Sequence, residues 1–186
     1  MKRFMKMLRP ALVCFAVMTV LCGVLYTAAV TGIAQTFFAQ KANGSVITVT
    51  LKDGTQREYG SELLAQAFSE PKYLIGRPMG TTNLNPTGPE QASAVLSRIA
   101  WWRAFDPDNK AEIPMDLVTA SGSGVDPNIS PAAAEYQAAR IANARGLNVE
   151  DVRSIIQKYT AGRFLYIFGE PAVNVLKVNL ALDGNL

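Results

Sequence analysis

An uncharged apolar stretch near the N-terminus, residues 10–34, most constrains how this chain can fold. Its sequence is PALVCFAVMTVLCGVLYTAAVTGIA, and the next charged residue is Lys41. As a helix, such a stretch reaches about 37 Å, more than the roughly 30 Å hydrocarbon core of a bilayer. Surface helices of soluble domains are amphipathic, whereas this stretch is apolar on every face. We therefore expect a transmembrane helix over residues 10–34.

A cleaved secretory signal is the alternative interpretation of this N-terminus. Such signals have an apolar region of about 7–15 residues, and this one is far longer. The candidate cleavage site, Thr27-Ala28-Ala29, falls inside the apolar run. The sequence therefore favours a retained span over a removed signal.

The charges on either side of the span predict its orientation. The residues before it include four basic ones and no acidic one: Lys2, Arg3, Lys6 and Arg9. Because cytoplasmic flanks are enriched in Lys and Arg, the N-terminus is expected inside the cell. This gives a basic cytoplasmic tail at residues 1–9 and an extracytoplasmic domain at residues 35–186. In a bacterium with an outer membrane, that domain would be periplasmic.

Composition excludes several classes of function. The net charge of +3 comes from the tail, since residues 41–186 carry 14 basic and 15 acidic residues. The basic surplus is therefore no sign of nucleic-acid binding. The chain has no His, and both Cys lie in the span. The domain thus lacks the commonest general base, the usual nucleophile pairs and the usual zinc ligands, so we expect no catalytic residue and no metal site.

The remaining patterns predict a single α+β domain, because helical and strand periodicities are mixed along residues 41–186. Asp53-Gly54 predicts a β-hairpin between residues 46–51 and 55–59. Helices are expected at 61–68, 89–104, 131–145 and from 149 onward, with a capping box at Thr87 and Glu90. Further strands are expected at 113–118 and 172–182.

Residues 69–89, the proline-rich loop, lack a regular pattern. Loops longer than about 12–15 residues are usually functional or disordered, and interspersed apolar residues argue for order here. The loop is either a binding surface or a segment that wraps the core. Its candidate surface residues are Asn83, Leu84 and Pro86.

A Ser-Gly-Ser-Gly run at residues 121–124 precedes a helix that Ser130 should cap, which superficially resembles a phosphate-binding loop. A P-loop ends in Gly-Lys-Ser/Thr, whereas this run continues Gly124-Val125-Asp126. The residues alone favour a structural connector. We name residues 121–128 the signature loop. Its candidates for binding a partner or a nucleotide are Ser121, Gly122, Ser123, Gly124, Asp126 and Asn128.

Three stretches resemble one known family. VTASGSGVDPNISPAAAEYQAARIANARGL at residues 118–147 resembles the signature of the C subunit of the Kdp-type potassium-transporting ATPase. TTNLNPTGP at 81–89 is similar to a loop of that family, and GEPAVNVLKVNLAL at 169–182 is similar to its C-terminal strand. The chain departs from the family's usual pattern at Thr82, Gly88 and Asn128.

The resemblance implies a non-catalytic accessory subunit of an ATP-driven, high-affinity potassium importer in the bacterial inner membrane. Its implied partners are a channel-like potassium-translocating subunit and a P-type ATPase subunit. The family's subunit is needed for assembly and is described as a catalytic chaperone that raises the ATP affinity of the pump subunit. ATP is therefore an implied ligand near residues 121–124.

The charge asymmetry and the implied ATP contact point to different sides of the membrane. The basic tail places the signature loop outside, whereas ATP is inside. Our leading hypothesis puts the domain over the extracellular mouth of the channel-like subunit, with the span packed beside it through small residues such as Gly23, Ala28 and Gly32. One alternative is a regulatory subunit with its domain inside the cell that contacts ATP directly. Another is an extracytoplasmic enzyme, which the absence of His and Cys from the domain disfavours.

Overall fold

The computed structural model describes residues 2–51 and 53–186, so Met1 of the predicted tail lies outside the described residues. The chain divides into two compact units, one through Val46 and one over Ile47–Leu186. The first is helical, and the second combines small sheets with helices. The predicted α+β class is confirmed.

The N-terminal unit is a nearly continuous helix. It consists of α1 (Lys2–Met18), a π-helical segment (Thr19–Tyr26), α2 (Thr27–Phe37) and the short α3 (Ala39–Ala42). The Thr27 hydroxyl donates to the Cys22 carbonyl at 3.1 Å, five residues back, which suits the wider π turn. Within the described chain, one helix is long and apolar enough to cross a membrane. It runs over Lys6–Phe37 and contains the predicted span.

The second unit carries the remaining elements, which are β1 (Val46–Thr50), β2 (Gln56–Ser61), α4 (Pro89–Phe105), a 3-10 turn (Met115–Leu117), β3 (Asn128–Ile129), α5 (Pro131–Arg145), α6 (Val149–Lys158), β4 (Thr160–Ala161), β5 (Ala172–Asn174) and α7 (Val175–Leu182). β1 and β2 form the predicted hairpin. In its turn the Asp53 carboxylate accepts the Thr55 N–H at 2.9 Å.

A small antiparallel sheet lies beside the helices in the order β3-β5-β4. Asn128 pairs with Asn174, and Val173 faces both Ile129 and Thr160. The core gathers around α5, which packs against α6 and β5. Its alanines permit close packing, and the buried apolar residues of the core include Leu74, Trp102, Leu117, Ile129, Ala133, Ala134, Ala138, Ile141, Val152, Val173 and Val178.

The predicted ends of α5 and the predicted start of α6 agree with the structure. The Ser130 hydroxyl accepts the Ala133 N–H at 3.2 Å, and Gly146 ends α5 with a left-handed φ of 64°. The Asn148 side chain caps α6 by accepting the Glu150 N–H at 3.1 Å. The predicted bounds of α5 are confirmed.

The predicted final strand is wrong beyond Asn174. The Asn174 side chain accepts the Lys177 N–H at 3.0 Å and so begins α7, which continues to Leu182. A short apolar run fits a buried helix as well as a strand, and the cap decides between them here.

Two further expected elements are also wrong. No helix forms at 61–68, because the Ser61 hydroxyl accepts the Leu63 N–H within a turn and the Ala65 N–H is bonded to Val125 of the signature loop. The expected strand at 113–118 is replaced by the 3-10 turn that follows Pro114.

The expected capping box at Thr87 is wrong as well. Helix α4 begins at Pro89 with Gly88 as its N-cap, and no side chain caps it. The Thr87 N–H and hydroxyl both donate to the Asn85 side chain at 3.1 Å. Leu96 of this helix is exposed, although its spacing with Val95 and Ile99 predicts a place on the core face.

The proline-rich loop is ordered because two buried amides hold its backbone. The Asn179 side chain accepts the Leu74 N–H at 2.7 Å and donates to the Leu74 carbonyl at 2.9 Å. The Gln137 side chain makes the same pair of bonds with Ile75, both at 2.9 Å. Gln137 and Asn179 are 0% and 1% exposed. We call these contacts the amide clamps, since each satisfies a backbone donor and acceptor that water cannot reach.

Two arginines of α5 extend this attachment. Arg140 donates to the carbonyls of Pro71 and Tyr73, and its guanidinium lies 5.0 Å from the centre of the Phe105 ring. Burial lowers the pKa of Arg140 to about 10, so its side chain remains charged at neutral pH. Arg145 donates to the Lys72 carbonyl at 2.7 Å and forms an ion pair with Asp183. Residues 71–75 are thus fixed along one face of α5.

Replacing one amide clamp by an apolar side chain of similar size should destabilise the domain strongly. In Asn179→Leu the buried N–H and carbonyl of Leu74 lose their partners, at about 1–3 kcal/mol for each group. We expect thermal unfolding of the full chain to shift down by roughly 5–15 °C. The control is Gln157→Leu, which changes an exposed amide on α6. An equal shift in both variants would contradict the role given to Asn179.

Candidate functional site

The signature loop is closed on itself by its serine hydroxyls. The Ser121 hydroxyl accepts the Gly124 N–H at 2.9 Å and the Asp126 N–H at 3.4 Å. The Ser123 hydroxyl accepts the Val125 N–H at 3.2 Å. A phosphate cradle needs such N–H groups free to face the ligand. Here three successive N–H groups already have acceptors within the loop.

Gly124 brings the signature loop against the proline-rich loop. The Gly80 N–H donates to the Gly124 carbonyl at 2.8 Å. Gly124 has a φ of 71°, and a Cβ placed on it would lie 2.5 Å from the Gly80 carbonyl carbon. Only glycine fits this conformation and this approach without a backbone shift.

Asp126 and Asn128 connect the loop to the sheet. The Asp126 carboxylate accepts the Asn128 N–H at 2.9 Å, which is an Asx turn. Asn128 then pairs with Asn174, whose amide nitrogen donates to the Glu62 carbonyl at 2.9 Å. Asp126 therefore shapes the turn into β3, and Asn128 links this turn to Asn174, which also holds Glu62.

The N-terminus of α5 already carries an anionic partner. The Asp116 carboxylate accepts the Ser130 N–H at 2.6 Å. Burial acts to raise the pKa of Asp116, but the hydrogen bonds from Ser130 outweigh it, so the net pKa lies below its ordinary value. Asp116 thus contributes stability that is present at neutral pH and is lost as the pH falls through this lowered pKa.

The tip of the proline-rich loop is a different kind of surface. Asn83 is exposed with a left-handed φ of 50°, Leu84 is half-buried and Pro86 is exposed. Pro86 borders an open depression of about 970 Å³ whose walls include Leu96, Met115 and Ser130. Pro86 therefore shares this depression with the N-cap of α5, whereas Asn83 and Leu84 do not line it.

The small residues predicted for packing in the membrane lie on the exposed surface of the N-terminal unit. Ala28 and Gly32 are one turn apart in α2 and share a face. Gly23 lies in the π-helical segment. A Cβ at Gly32 would meet no atom within 4 Å, so this position is open to a neighbouring helix.

Sequence reasoning missed Gln137, Arg140 and Asn179. Polar residues inside an Ala-rich helix and inside an apolar run could have indicated buried hydrogen bonds. Nothing in the sequence identified the groups to which they bond. It also missed a cavity of about 290 Å³ bordered by Trp101, Arg77 and Arg98. Trp101 is half-exposed there and stacks on Phe105, with ring centres 4.6 Å apart.

Residues 2–51 and 53–186 contain no group of three or more His, Cys, Asp or Glu side chains that could hold an ion. The arrangement of the signature loop suits a structural support, because its side chains bond to its own N–H groups while the carbonyls of Gly124 and Val125 bond to neighbouring segments.

Comparison with known proteins gives a consistent result. A family model described as K⁺-transporting ATPase, c chain, matches residues 8–184. Curated relatives carry the name "Potassium-transporting ATPase KdpC subunit". The protein of Listeria monocytogenes serovar 1/2a is 54% identical over 186 residues, covering 98% of both chains. That of Sorangium cellulosum is 49% identical, covering 95% of this chain and 97% of its own. That of Clostridium perfringens is 47% identical, covering 98% and 99%.

Adding a methyl group at Gly124 should weaken the contact between the signature loop and the proline-rich loop, whereas the same change at Gly122 should not. Gly124→Ala forces a left-handed alanine, at about 1–2 kcal/mol, and a clash with the Gly80 backbone. We expect a loss of at least about 2 kcal/mol in stability and faster amide exchange across the signature loop.

The matched control is Gly122→Ala, where a Cβ meets no atom within 4 Å. Its stability should stay within about 0.5 kcal/mol of the unchanged chain. Similar losses in the two variants would show that the Gly124–Gly80 approach does not support the loop.

Proposed function

The chain belongs to the family of the c chain of K⁺-transporting ATPases, and from this premise we propose that it is a non-catalytic subunit that holds the pump complex together from the extracytoplasmic side. Membership makes it an accessory subunit of a potassium pump. The proposal adds the place of its domain, its partners and the way in which it affects ATP use.

The helix over Lys6–Phe37 would span the bacterial inner membrane with its N-terminus in the cytoplasm. The absence of charge within residues 10–40 supports the span, and the four basic residues before it support this orientation. Ala28 and Gly32 would allow close packing beside the channel-like potassium-translocating subunit. The domain from Ile47 onward would then lie over the extracellular mouth of that subunit.

The closed signature loop is the single observation that carries the functional proposal. Its N–H groups bond to the hydroxyls of Ser121 and Ser123, and Asp116 bonds to the following helix N-terminus. Nucleotide binding at this place would require those bonds to break and a second anion to approach a carboxylate. We therefore assign any increase in the ATP affinity of the P-type ATPase subunit to assembly, transmitted through the partner subunits.

A regulatory subunit that binds ATP directly is the second candidate. The observation in its favour is a Gly-rich run before a helix N-terminus, which is a common anion site. It needs the domain inside the cell, so the orientation of the span separates the two candidates.

Bulky residues at two of the small-residue positions of the span should release the subunit from the complex. In Gly23→Leu, Gly32→Leu the helix can no longer approach a neighbour closely, so we expect much less of the chain to co-purify with the two partner subunits. The control is Val20→Leu, Val30→Leu, which changes apolar side chains of the same helix.

The same preparations test the effect on ATP use. Complexes depleted of this subunit should show a higher KM for ATP, and adding the unchanged full chain should lower it again. Normal co-purification of the glycine variant would contradict the packing proposal. An unchanged KM in depleted complexes would contradict the assembly-based effect on ATP affinity.

A further inference from the structure

A cluster of large apolar side chains stands exposed at one place in the second unit, where neither the core nor the signature loop uses it. Residues 164–168 read Phe-Leu-Tyr-Ile-Phe. Their exposed fractions are 70% for Phe164, 64% for Leu165, 95% for Tyr166, 73% for Ile167 and 61% for Phe168. Soluble surfaces carry single exposed apolar residues, but a run of five is unusual.

This segment is a structured hairpin. The Phe164 N–H donates to the Phe168 carbonyl at 2.8 Å, and the Phe168 N–H donates back at 2.9 Å. Leu165 and Tyr166 adopt left-handed φ values of 52° and 62°, which bulky residues rarely do. At the base, Arg163 donates to both carboxylate oxygens of Glu170 at 2.9 and 2.8 Å. The apolar tip is therefore presented in a fixed shape before any partner binds, which lowers the entropic cost of docking.

The exposed area is large enough to anchor an interface. Aromatic side chains bury about 150–250 Å² each, so the three in the hairpin present on the order of 400 Å². Leu165 and Ile167 add to this area. One partner in a standard protein interface contributes about 800 Å², so the hairpin would supply roughly half of it.

Charge favours a protein over a lipid surface as the occupant. The tip carries no cation that would bind anionic headgroups, and the charge of Arg163 is paired with Glu170. Residues 41–186 together carry one more acidic than basic residue. A rigid tip of defined shape also matches a preformed cleft, which a fluid bilayer does not offer.

The length of the chain favours a partner in the same membrane. Nine residues, 38–46, separate the end of α2 from the second unit. Four of them form α3, so the stretch reaches at most about 25 Å. A domain tethered this closely meets membrane-embedded neighbours at a high effective concentration.

We propose that the apolar hairpin, residues 164–168, is a docking element that inserts into an apolar cleft on the extracytoplasmic face of a membrane-embedded subunit of the same complex. This inference rests on the proposed function and identifies the part of the domain that makes the contact. Tyr166 and Ile167 are its leading anchors because they are the most exposed side chains of the tip.

Charged substitutions at the tip test the proposal in the intact complex. Tyr166→Asp, Ile167→Asp should weaken binding of the full chain to its partner subunits by about tenfold or more, because buried aromatic anchors dominate interfaces. The control is Met115→Asp, an apolar residue as exposed as Ile167, at 73%. Equal losses in both variants, or normal binding of the hairpin variant, would overturn the assignment.

A spin label reports the environment of the tip without requiring loss of binding. Cys14 and Cys22 are replaced by Ser, Tyr166→Cys is labelled, and the complex is reconstituted in lipid nanodiscs. Shielding of the label from both oxygen and a water-soluble nickel chelate is the expected result, since it indicates burial in protein. Access to oxygen alone would mean lipid, and access to both reagents would mean solvent. Either outcome overturns the proposal.

The two proposals can fail separately. If the unchanged chain does not co-purify with the partner subunits, the proposed function fails. If the unchanged chain co-purifies and the hairpin variant does so equally well, only the docking inference fails.

Discussion

The structure of the second unit depends on two amide side chains that make the backbone hydrogen bonds a neighbouring strand would otherwise make. Gln137 and Asn179 each bond to both the N–H and the carbonyl of one residue in the proline-rich loop. In a sheet, a neighbouring strand would supply these bonds. Here they allow an irregular segment to lie buried against α5 and α7 without unsatisfied backbone groups. The loop can then meet Gly124 of the signature loop, and the two loops become one rigid surface.

This rigidity changes how the signature loop is interpreted. A Gly-rich run before a helix is typical of phosphate binding, yet here the hydroxyls of Ser121 and Ser123 occupy its N–H groups, and Asp116 occupies the following N-terminus. The loop supports neighbouring segments. Contacts with other subunits would then fall to the exposed surfaces that this framework holds in place, of which the apolar hairpin at residues 164–168 is the most prominent. Under the proposed function, the subunit would act on the pump through its attachment to the partner subunits.

The sequence predicted well those elements whose signals are local. Ser130, Gly146 and Asn148 mark helix ends with bonds that reach only two to four residues, so the bounds of α5 and the start of α6 followed directly. Two local signals, at Thr87 and Asn174, were nevertheless predicted wrongly. Other predictions failed because distant contacts decide the structure. Within residues 61–68, the Ala65 N–H bonds to the distant carbonyl of Val125. The amide clamps join pairs of residues that are 62 and 105 positions apart in the sequence. For the signature loop, the absence of the lysine that a P-loop requires favours a connector. Its internal hydrogen bonds depend on a backbone conformation that no sequence pattern specifies.

The account is tested most directly by measuring on which side of the membrane the signature loop lies. Cys14 and Cys22 are replaced by Ser, a single cysteine is introduced by Ser123→Cys at an exposed position, and intact spheroplasts are treated with a membrane-impermeant maleimide. The account predicts labelling without opening the membrane, which would place the loop away from ATP. Labelling only after permeabilisation, together with external labelling of a cysteine placed in the N-terminal tail, would contradict it and favour direct contact with ATP.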